Sequence, residues 1–334
     1  MVDPIPFEQQ QRWVAKAARA PSAHNTQPAR WKFADDGSIY LFEDRRRQLH
    51  VADAHGNDQL IALGTAFEGM CLAACEDGLQ LAQADFDIES AADESIRAVA
   101  RTRVQGPGPA DELAHLVGKR ATYRGRFLDN DVDSSIFDSF RARSDMVVIS
   151  KPDEIHAVAD VHDSCTCKLT SNDHYYAELY EWLRFNSSHA AWARDGLSAT
   201  ALSMSAVERL FGPWFAHPAA FRIWVRLGLA KFLVSEKPAV CSASALLIFV
   251  QPTQTTRFEA GRAFYRLWLT ITGLGLALCP MSALVDHPDG KRYIEQHWPA
   301  VMEREMINVF RVGAAPPGLP RPAARLPVDE LILT

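Results

Sequence analysis

The order of apolar and polar residues predicts alternating helices and strands. Helical periodicity marks four segments, which are 7–19, 57–79, 134–143 and a stretch from about Asp153. Strand-like runs occupy 30–33, 38–42 and 146–150, and the turn pair Asp36-Gly37 joins the first two. The six consecutive apolar residues from Ala245 to Val250 are typical of a strand buried on both faces.

Two further stretches affect how the chain is divided. The sequence Gln105-Gly-Pro-Gly-Pro109 predicts a break in regular structure and serves as a linker. The longest uncharged run, Leu267 to Val285, contains glycines, hydroxyl side chains and Pro280. We interpret it as a buried helix that runs into a loop, because a membrane span would hold fewer breakers and hydroxyls.

An internal repeat predicts two related halves. Residues 64–81 align without gaps on 261–278, with an offset of 197 residues and seven identical positions. We therefore expect an α+β protein whose halves, 1–105 and 106–334, form an intramolecular pseudo-dimer. An insertion at about 172–240 in the second half contains four of the eight tryptophans. Its helices could form a lid over a planar ligand, or could simply pack against the body.

Charge and composition exclude some function classes. With 48% apolar and 23% charged residues the chain is globular, and its net charge of −6 lacks the basic surplus of a nucleic-acid-binding protein. The six cysteines have no disulfide spacing, and His162, Cys165, Cys167 and His174 match no standard zinc spacing, so no metal is expected. Without a visible signal segment, we expect a cytoplasmic protein with no membrane partner.

Four segments carry side chains suited to binding. One is rich in hydroxyl and amide groups, two are rich in arginine, and one offers backbone N–H groups after a helix. They are Pro21-Ser-Ala-His-Asn-Thr-Gln-Pro28, Arg120-Ala-Thr-Tyr-Arg124, Arg321-Pro-Ala-Ala-Arg-Leu-Pro327 and Cys279-Pro-Met-Ser-Ala283. Taken singly, each also fits a plain interpretation as a turn, a solvated charged face, a terminal tail or a helix end.

Together these segments resemble the FMN-dependent nitroreductase superfamily, most closely its Acg-type branch of long, lid-covered chains. The 21–28 loop is similar to the family's Pro-Ser-x-x-Asn-x-Gln-Pro-Trp loop, and Arg120-x-Thr-x-Arg124 to its phosphate-binding Arg-x-Ser-x-Arg motif. The resemblance covers most of the chain and implies a nitroreductase-like fold.

The resemblance also implies roles for particular residues. The flavin phosphate would be held by Arg120, Thr122, Arg124 and Arg325. The flavin body would be contacted by Pro21, Ser22, Ala23, Asn25, Gln27 and Pro280. A backbone N–H of Met281 or Ser282 would lie near flavin N5. The insertion would contribute candidate lid or substrate residues, which are Tyr175, Tyr176, Trp182, Arg184 and Trp192.

Departures from the family pattern refine this picture. Ala29 replaces the usual tryptophan and widens one wall of the flavin pocket, and Met281-Ser282 replaces a Glu-Gly pair, so only the backbone contribution carries over. The Pro-Ser loop occurs only in the first half and the Arg-Thr-Arg motif only in the second. One complete site, and hence one FMN per chain, follows for a monomeric pseudo-dimer or a weak homodimer.

The implied activity is electron transfer from NAD(P)H through FMN to a nitroaromatic, quinone or related small acceptor. Two alternatives stay open. The insertion could seal the FMN in a binding or sequestering protein without turnover, or the flavin could serve a dehydrogenase or oxidase of a biosynthetic intermediate. No side-chain general acid is evident in the sequence, and neither the physiological substrate nor the choice between NADH and NADPH can be predicted from it.

Overall fold

The computed structural model describes residues 4–88, 95–129, 132–318 and 324–333. Its first half contains helices α1 and α2 and an antiparallel sheet of four strands in the order β1-β2-β4-β3. The bounds are α1 Phe7–Ala17, β1 Ala29–Phe33, β2 Ser38–Asp44, α2 Asn57–Glu76, β3 Leu79–Leu81 and β4 Ile96–Pro107. These bounds confirm the helices and strands expected in this part of the sequence.

The second half repeats this arrangement with additional helices. Its antiparallel sheet has the order β5-β8-β10-β9, which matches the first sheet strand for strand. The matching elements are α3 Ser135–Arg141, β5 Met146–Ile149, β8 Ala245–Gln251, α10 Arg257–Gly273, β9 Ala277–Pro280 and β10 Glu305–Gly313. Strand β8 is buried on both faces, as its apolar run predicts, because helices cover both sides of this sheet.

The added helices lie between β5 and β8 and between β9 and β10. The first group is α4 Pro152–Thr170, α5 Asp173–Glu181, α6 Ala206–Phe215, α7 Pro218–Arg226, α8 Ala230–Leu233 and α9 Lys237–Val240, with the short parallel pair β6 Leu183–Arg184 and β7 Leu197–Ser198. The second group is α11 Ala283–Asp286 and α12 Pro288–His297. The insertion expected at 172–240 thus covers α5 to α9, and α4 precedes it without a counterpart in the first half.

Helices α2 and α10 join the halves with the symmetry of the sequence repeat. A Cβ atom on Gly64 would lie 2.0 Å from the carbonyl oxygen of Phe258, and one on Gly261 would lie 2.2 Å from that of Ile61. Both pairs are related by the same offset of 197 residues, as two equivalent contacts across a two-fold axis must be. The glycine shared by the two copies of the repeat lets the two helix backbones approach more closely than a side chain would permit.

Three details of the sequence interpretation were wrong. Residues 105–107 belong to β4, so the first three residues of the expected linker are part of a paired strand. The boundary expected between 105 and 106 lies inside the same strand. The helix expected to continue to Leu278 ends at Gly273, and the loop expected after it starts with strand β9. Gly275, with φ of +76°, turns the chain there, and pairing with β10 outweighs the helical pattern.

The C-terminal segment returns to the first half. The backbone N–H of Trp31 donates to Leu331 O at 2.7 Å, and the N–H of Leu333 donates to Trp31 O at 2.7 Å. The chain end therefore pairs with the sheet of the first half. We propose that the two related units are the two sheets with their helices, and that they do not correspond to two separate residue ranges. Within the described ranges, no helix combines the length and apolar character needed to cross a bilayer.

Candidate functional site

A cavity of about 550 Å³ lies where the first half, the second half and the insertion meet. This volume is in the usual range for sites that bind small molecules or cofactors. Ten residues expected at the flavin line it, which are Pro21, Ser22, Ala23, Asn25, Arg120, Thr122, Arg124, Pro280, Ser282 and Arg325. Tyr175, expected in the lid, lines it as well.

Arginine side chains gather at one end of the cavity. The guanidinium of Arg120 lies over the ring of Trp268, 4.6 Å from its centroid, and its Nη2 donates to Arg19 O at 3.2 Å. Its Nε and Nη1 atoms are buried and have no hydrogen-bond partner. A buried guanidinium with free N–H groups needs an acceptor, since desolvating these donors without one costs free energy.

Arg325 adds a second cation to this end. Its guanidinium donates to Asn25 Oδ1 at 3.1 Å and to the carbonyl oxygens of Ala18, Arg19 and Ala324. Burial, together with the neighbouring charges of Arg120 and Arg19, lowers the pKa of Arg325 to about 9, so it still carries its proton at neutral pH.

No carboxylate balances this charge. Among the ion pairs formed by the described residues, none includes Arg19, Arg120, Arg124 or Arg325. Arg124 lines the same cavity and donates to Ala201 O at 3.2 Å in the insertion. Guanidinium groups gathered without a paired carboxylate are suited to an anionic ligand.

The 21–28 loop enters the cavity with a strained backbone. His24, Asn25 and Gln27 have φ values of 46°, 57° and 53°, a region that residues other than glycine seldom adopt. The loop is held by two contacts, in which Ser22 Oγ accepts from the N–H of Gln27 at 3.0 Å and Thr65 Oγ1 donates to Pro21 O at 2.8 Å. Such fixed strain is typical of segments that present polar groups to a ligand.

Gln27 does not line the cavity, contrary to its expected role at the flavin. Its Nε2 donates to Arg194 O at 2.8 Å, and its Oε1 accepts from the N–H of Leu326 at 2.9 Å. The side chain thus ties the loop to the insertion and to the C-terminal segment. Asn25 of the loop and Arg325 of the C-terminal segment do line the cavity.

The backbone of Met281 is also unavailable, which corrects half of the expectation for flavin N5. Its N–H donates to Val309 O at 2.7 Å, and its side chain is buried in the core. Ser282, one residue later, begins helix α11 and lines the cavity. The sequence could not separate the two, because the hydrogen bond to Val309 depends on pairing with a distant strand.

Four of the five candidate lid residues do not line the cavity. Tyr176 stacks on Phe221 with ring centroids 3.7 Å apart, and Arg184 Nη2 donates to Asp195 Oδ1 at 2.8 Å. The Nη1 and Nη2 atoms of Arg184 thus bond within the insertion, and Arg184 is not part of the cavity lining. Trp182, near the guanidinium groups of Arg47 and Arg184, and Trp192 lie outside the cavity wall.

Among the titratable residues of the wall that the sequence interpretation missed, three have shifted pKa values, and they are His24, Asp58 and Asp286. Burial and the nearby charge of Arg124 lower the pKa of His24 to about 4, so its imidazole is neutral, and its Nδ1 is buried without a partner. Asp58, in the first turn of α2, and Asp286, at the end of α11, face the cavity from the two halves. The position of His24 inside the recognised loop was the one sequence signal for any of them.

Asp58 and Asp286 raise each other's pKa. Desolvation inside the cavity and mutual repulsion raise the pKa of both carboxyl groups, with Asp53 contributing to both. Near neutral pH the pair therefore retains a proton. The sequence carried no signal for this pair of carboxyl groups in the cavity wall.

The pair makes stability depend on pH. Its folded pKa values lie above the unfolded value of 3.8, so the folded protein binds more protons and loses stability as pH rises from about 4 through 8. Asp286→Asn should therefore raise the free energy of unfolding near pH 9 and have a smaller effect near pH 5. Urea unfolding at both pH values measures this, with the exposed Asp138→Asn as control. Equal effects at both pH values would contradict a shared proton.

Comparison with known proteins finds relatives that are similar in sequence. No family model matches the chain. A putative NAD(P)H nitroreductase of Mycobacterium tuberculosis is 26% identical over 275 residues, which are 80% of this chain and 74% of that protein. The probable NAD(P)H nitroreductase PigM of Serratia is 26% identical over 318 residues, 84% of this chain and 82% of that protein. The NAD(P)H nitroreductase Acg of M. tuberculosis, also named putative, is 38% identical over 65 residues, 20% of this chain and 19% of Acg.

The chain is thus similar over most of its length to proteins named NAD(P)H nitroreductases, and over a shorter segment to Acg. Among solved structures, the FMN-dependent nitroreductase NfnB of Mycobacterium smegmatis is similar at 16% identity over 66% of this chain and 92% of that chain, with a TM-score of 0.33. A BluB-like flavoprotein of Clostridium difficile is similar at 15% identity over 67% of this chain and 99% of that chain, with a TM-score of 0.38. With TM-scores this low, the two structures carry no argument. The relation to nitroreductases rests on the similar sequences.

Proposed function

We propose that the chain is an FMN-containing oxidoreductase of the nitroreductase type that transfers electrons from NAD(P)H to a small acceptor. The observation that carries this proposal is the group of arginines without carboxylate partners at one end of a cofactor-sized cavity. A phosphate monoester carries about two negative charges at neutral pH and offers three acceptor oxygens, which suits converging guanidinium groups. The residues present therefore fit the phosphate end of FMN.

The chain's own residues divide the binding task. Arg120, Arg124 and Arg325 would hold the phosphate, with Thr122 beside them. The strained loop would present Ser22 and Asn25 to the polar part of the cofactor, and the N–H of Ser282 would serve the ring. When bound, FMN supplies two-electron transfer between a nicotinamide and an acceptor, and the protein supplies position, charge and a proton.

The carboxyl pair supports the same function. Reduction of a quinone or nitro compound takes up protons as well as electrons, and the Asp58–Asp286 pair retains a proton at neutral pH. Ser282 is the N-cap residue of α11 and Asp286 is its last residue, and both line the cavity. We infer that the carboxyl of Asp286 holds a proton for the acceptor, which water replaces afterwards.

Purified protein is expected to be yellow and to release FMN at close to one molecule per chain. The reason is that one cavity combines the loop of the first half with the arginine motif of the second half. Absorbance of the released flavin against protein concentration, with chromatography to separate FMN from FAD, measures the ratio. A ratio near two, or FAD as the released flavin, would contradict the single site.

A second candidate function is supported by the insertion. Residues of this segment, such as Leu197, Ser198 and Leu202, line the cavity, so the insertion covers the site and could seal the cofactor without turnover. Anaerobic mixing of the yellow protein with NADH or NADPH in a stopped-flow instrument distinguishes the two. Rapid bleaching of the flavin supports the oxidoreductase, and lasting yellow colour with either nucleotide supports the sealed protein.

A further inference from the structure

The insertion exposes an unusual amount of apolar surface. Of fifteen large apolar side chains that are strongly exposed in the described ranges, ten lie between 207 and 233. They are Val207, Leu210, Phe211, Trp214, Phe215, Ile223, Leu227, Leu229, Phe232 and Leu233. Trp214 is 68% exposed and Phe232 is 71% exposed, values at which burial contributes little to folding. Exposed apolar residues concentrated in this way mark a surface that another body covers.

This surface belongs to three short amphipathic helices, α6, α7 and α8, and we call it the α6–α8 face. Helices α7 and α8 are anchored on their opposite sides, because Phe221 and Ala230 pack with Tyr176 in a small core of their own. A capping box at Ser205 and Glu208 fixes the start of α6. The helices are therefore folded against the insertion and still turn aromatic and aliphatic side chains outward.

The charges on the same helices differ from those of the whole chain. Residues 206–233 contain four basic residues and one acidic residue, whereas the chain has a net charge of −6. Arg209, Arg226 and Lys231 are exposed, and Arg222, which is also exposed, forms an ion pair with Asp173 of α5. Helices that combine exposed Trp, Phe and Leu with Arg and Lys are suited to lie in the surface of a membrane with anionic lipids.

The position of the cavity opening favours a membrane over a second copy of this chain. Glu208 and Leu233 line the cavity and are themselves exposed, so the cavity reaches the surface beside α6 and α8. A second copy seated on the α6–α8 face would cover this opening and would bring the same positive charges of both copies together. A lipid layer would neutralise those charges and leave the opening in contact with lipid.

We propose that the α6–α8 face docks on the surface of membranes that contain anionic lipids. This replaces the expectation, made from the sequence, that the chain has no membrane partner, and it involves contact with the surface without a spanning helix. Resting on the proposed function, the placement further favours a lipid-soluble ring compound as electron acceptor, because such a compound would reach the cavity opening directly from the lipid.

Sedimentation with vesicles tests the docking without any need for flavin or activity. Purified protein should pellet with vesicles of phosphatidylcholine mixed with phosphatidylglycerol and should stay largely in solution with phosphatidylcholine alone. A variant combining Phe211→Ser, Trp214→Ser and Phe232→Ser should lower the partition coefficient at least about tenfold, since apolar burial and cationic contacts both drive such binding. A second variant, Arg226→Gln with Lys231→Gln, should lower it about fivefold or more on the mixed vesicles.

The matched control removes exposed apolar groups elsewhere. Phe7→Ser with Met302→Ser changes side chains that are 62% and 66% exposed and should leave vesicle binding unchanged. Circular dichroism and thermal unfolding of each variant verify that the fold is retained. Failure of the wild-type protein to pellet with the mixed vesicles would overturn the proposal. A concentration-dependent dimer that the triple variant abolishes, without vesicle binding, would also overturn it and assign the face to a second copy.

Discussion

Arg120→Ala should weaken FMN binding by about 2 to 4 kcal/mol, which is roughly 30- to 1000-fold in the dissociation constant. The side chain is preorganised over Trp268 and holds two buried donor atoms without a partner, so a phosphate would find its acceptor sites ready. A flavin fluorescence titration of the flavin-free protein measures the change directly. Arg120→Lys should recover only part of the loss, since an ammonium group lacks the forked donors.

The same substitution should not destabilise the flavin-free protein through lost charge pairing. Arg120 has no carboxylate partner in the described chain, and it lowers the pKa of Arg325 by repulsion, so removing its charge relieves the cluster. Arg141→Ala is the matched control, because it deletes one arginine at an exposed pair with Asp138 far from the cavity. Full retention of FMN by Arg120→Ala would contradict the phosphate assignment, whatever the stability result.

Gly64→Ala should lower the free energy of unfolding by on the order of 3 kcal/mol, at the upper end for added volume in a packed interior. The new Cβ would lie 2.0 Å from the carbonyl oxygen of Phe258, and backbone atoms of α10 cannot move aside as a side chain can. Gly261→Ala should have a similar effect, because its Cβ would meet the backbone of Ile61 at 2.2 Å. Urea unfolding measures both.

Gly118→Ala is the control for this pair. A Cβ at Gly118 has no other heavy atom within 4 Å, so the substitution should change the unfolding free energy little. If Gly64→Ala and Gly261→Ala were as mild as this control, the close approach of α2 and α10 would not hold the halves together. A large effect from one and none from the other would contradict the two-fold relation between them.

The elements of the fold could be predicted from the sequence where the signal is local. The apolar run 245–250, the turn Asp36-Gly37 and the helix beginning at Asn57 depend on side chains within a few residues, and each formed as expected. The repeat of residues 64–81 predicted the doubling, since two helices that meet in equivalent ways need the same small residue at the same place. Strand β9 was missed because its pairing with β10 is a contact between distant parts of the chain.

The same difference between local signals and long-range contacts applies to the cavity. The loop and the arginines that line it could be predicted from the sequence, because these residues lie in contiguous motifs. The folded structure was needed to show that the N–H of Met281 donates to Val309 O, that Gln27 and Arg184 bond to other parts of the protein, and that Asp58 and Asp286 line the same cavity. The physical reason is that a hydrogen bond or a shared proton depends on atoms within a few ångströms, and residues far apart in the sequence come that close only when the chain has folded.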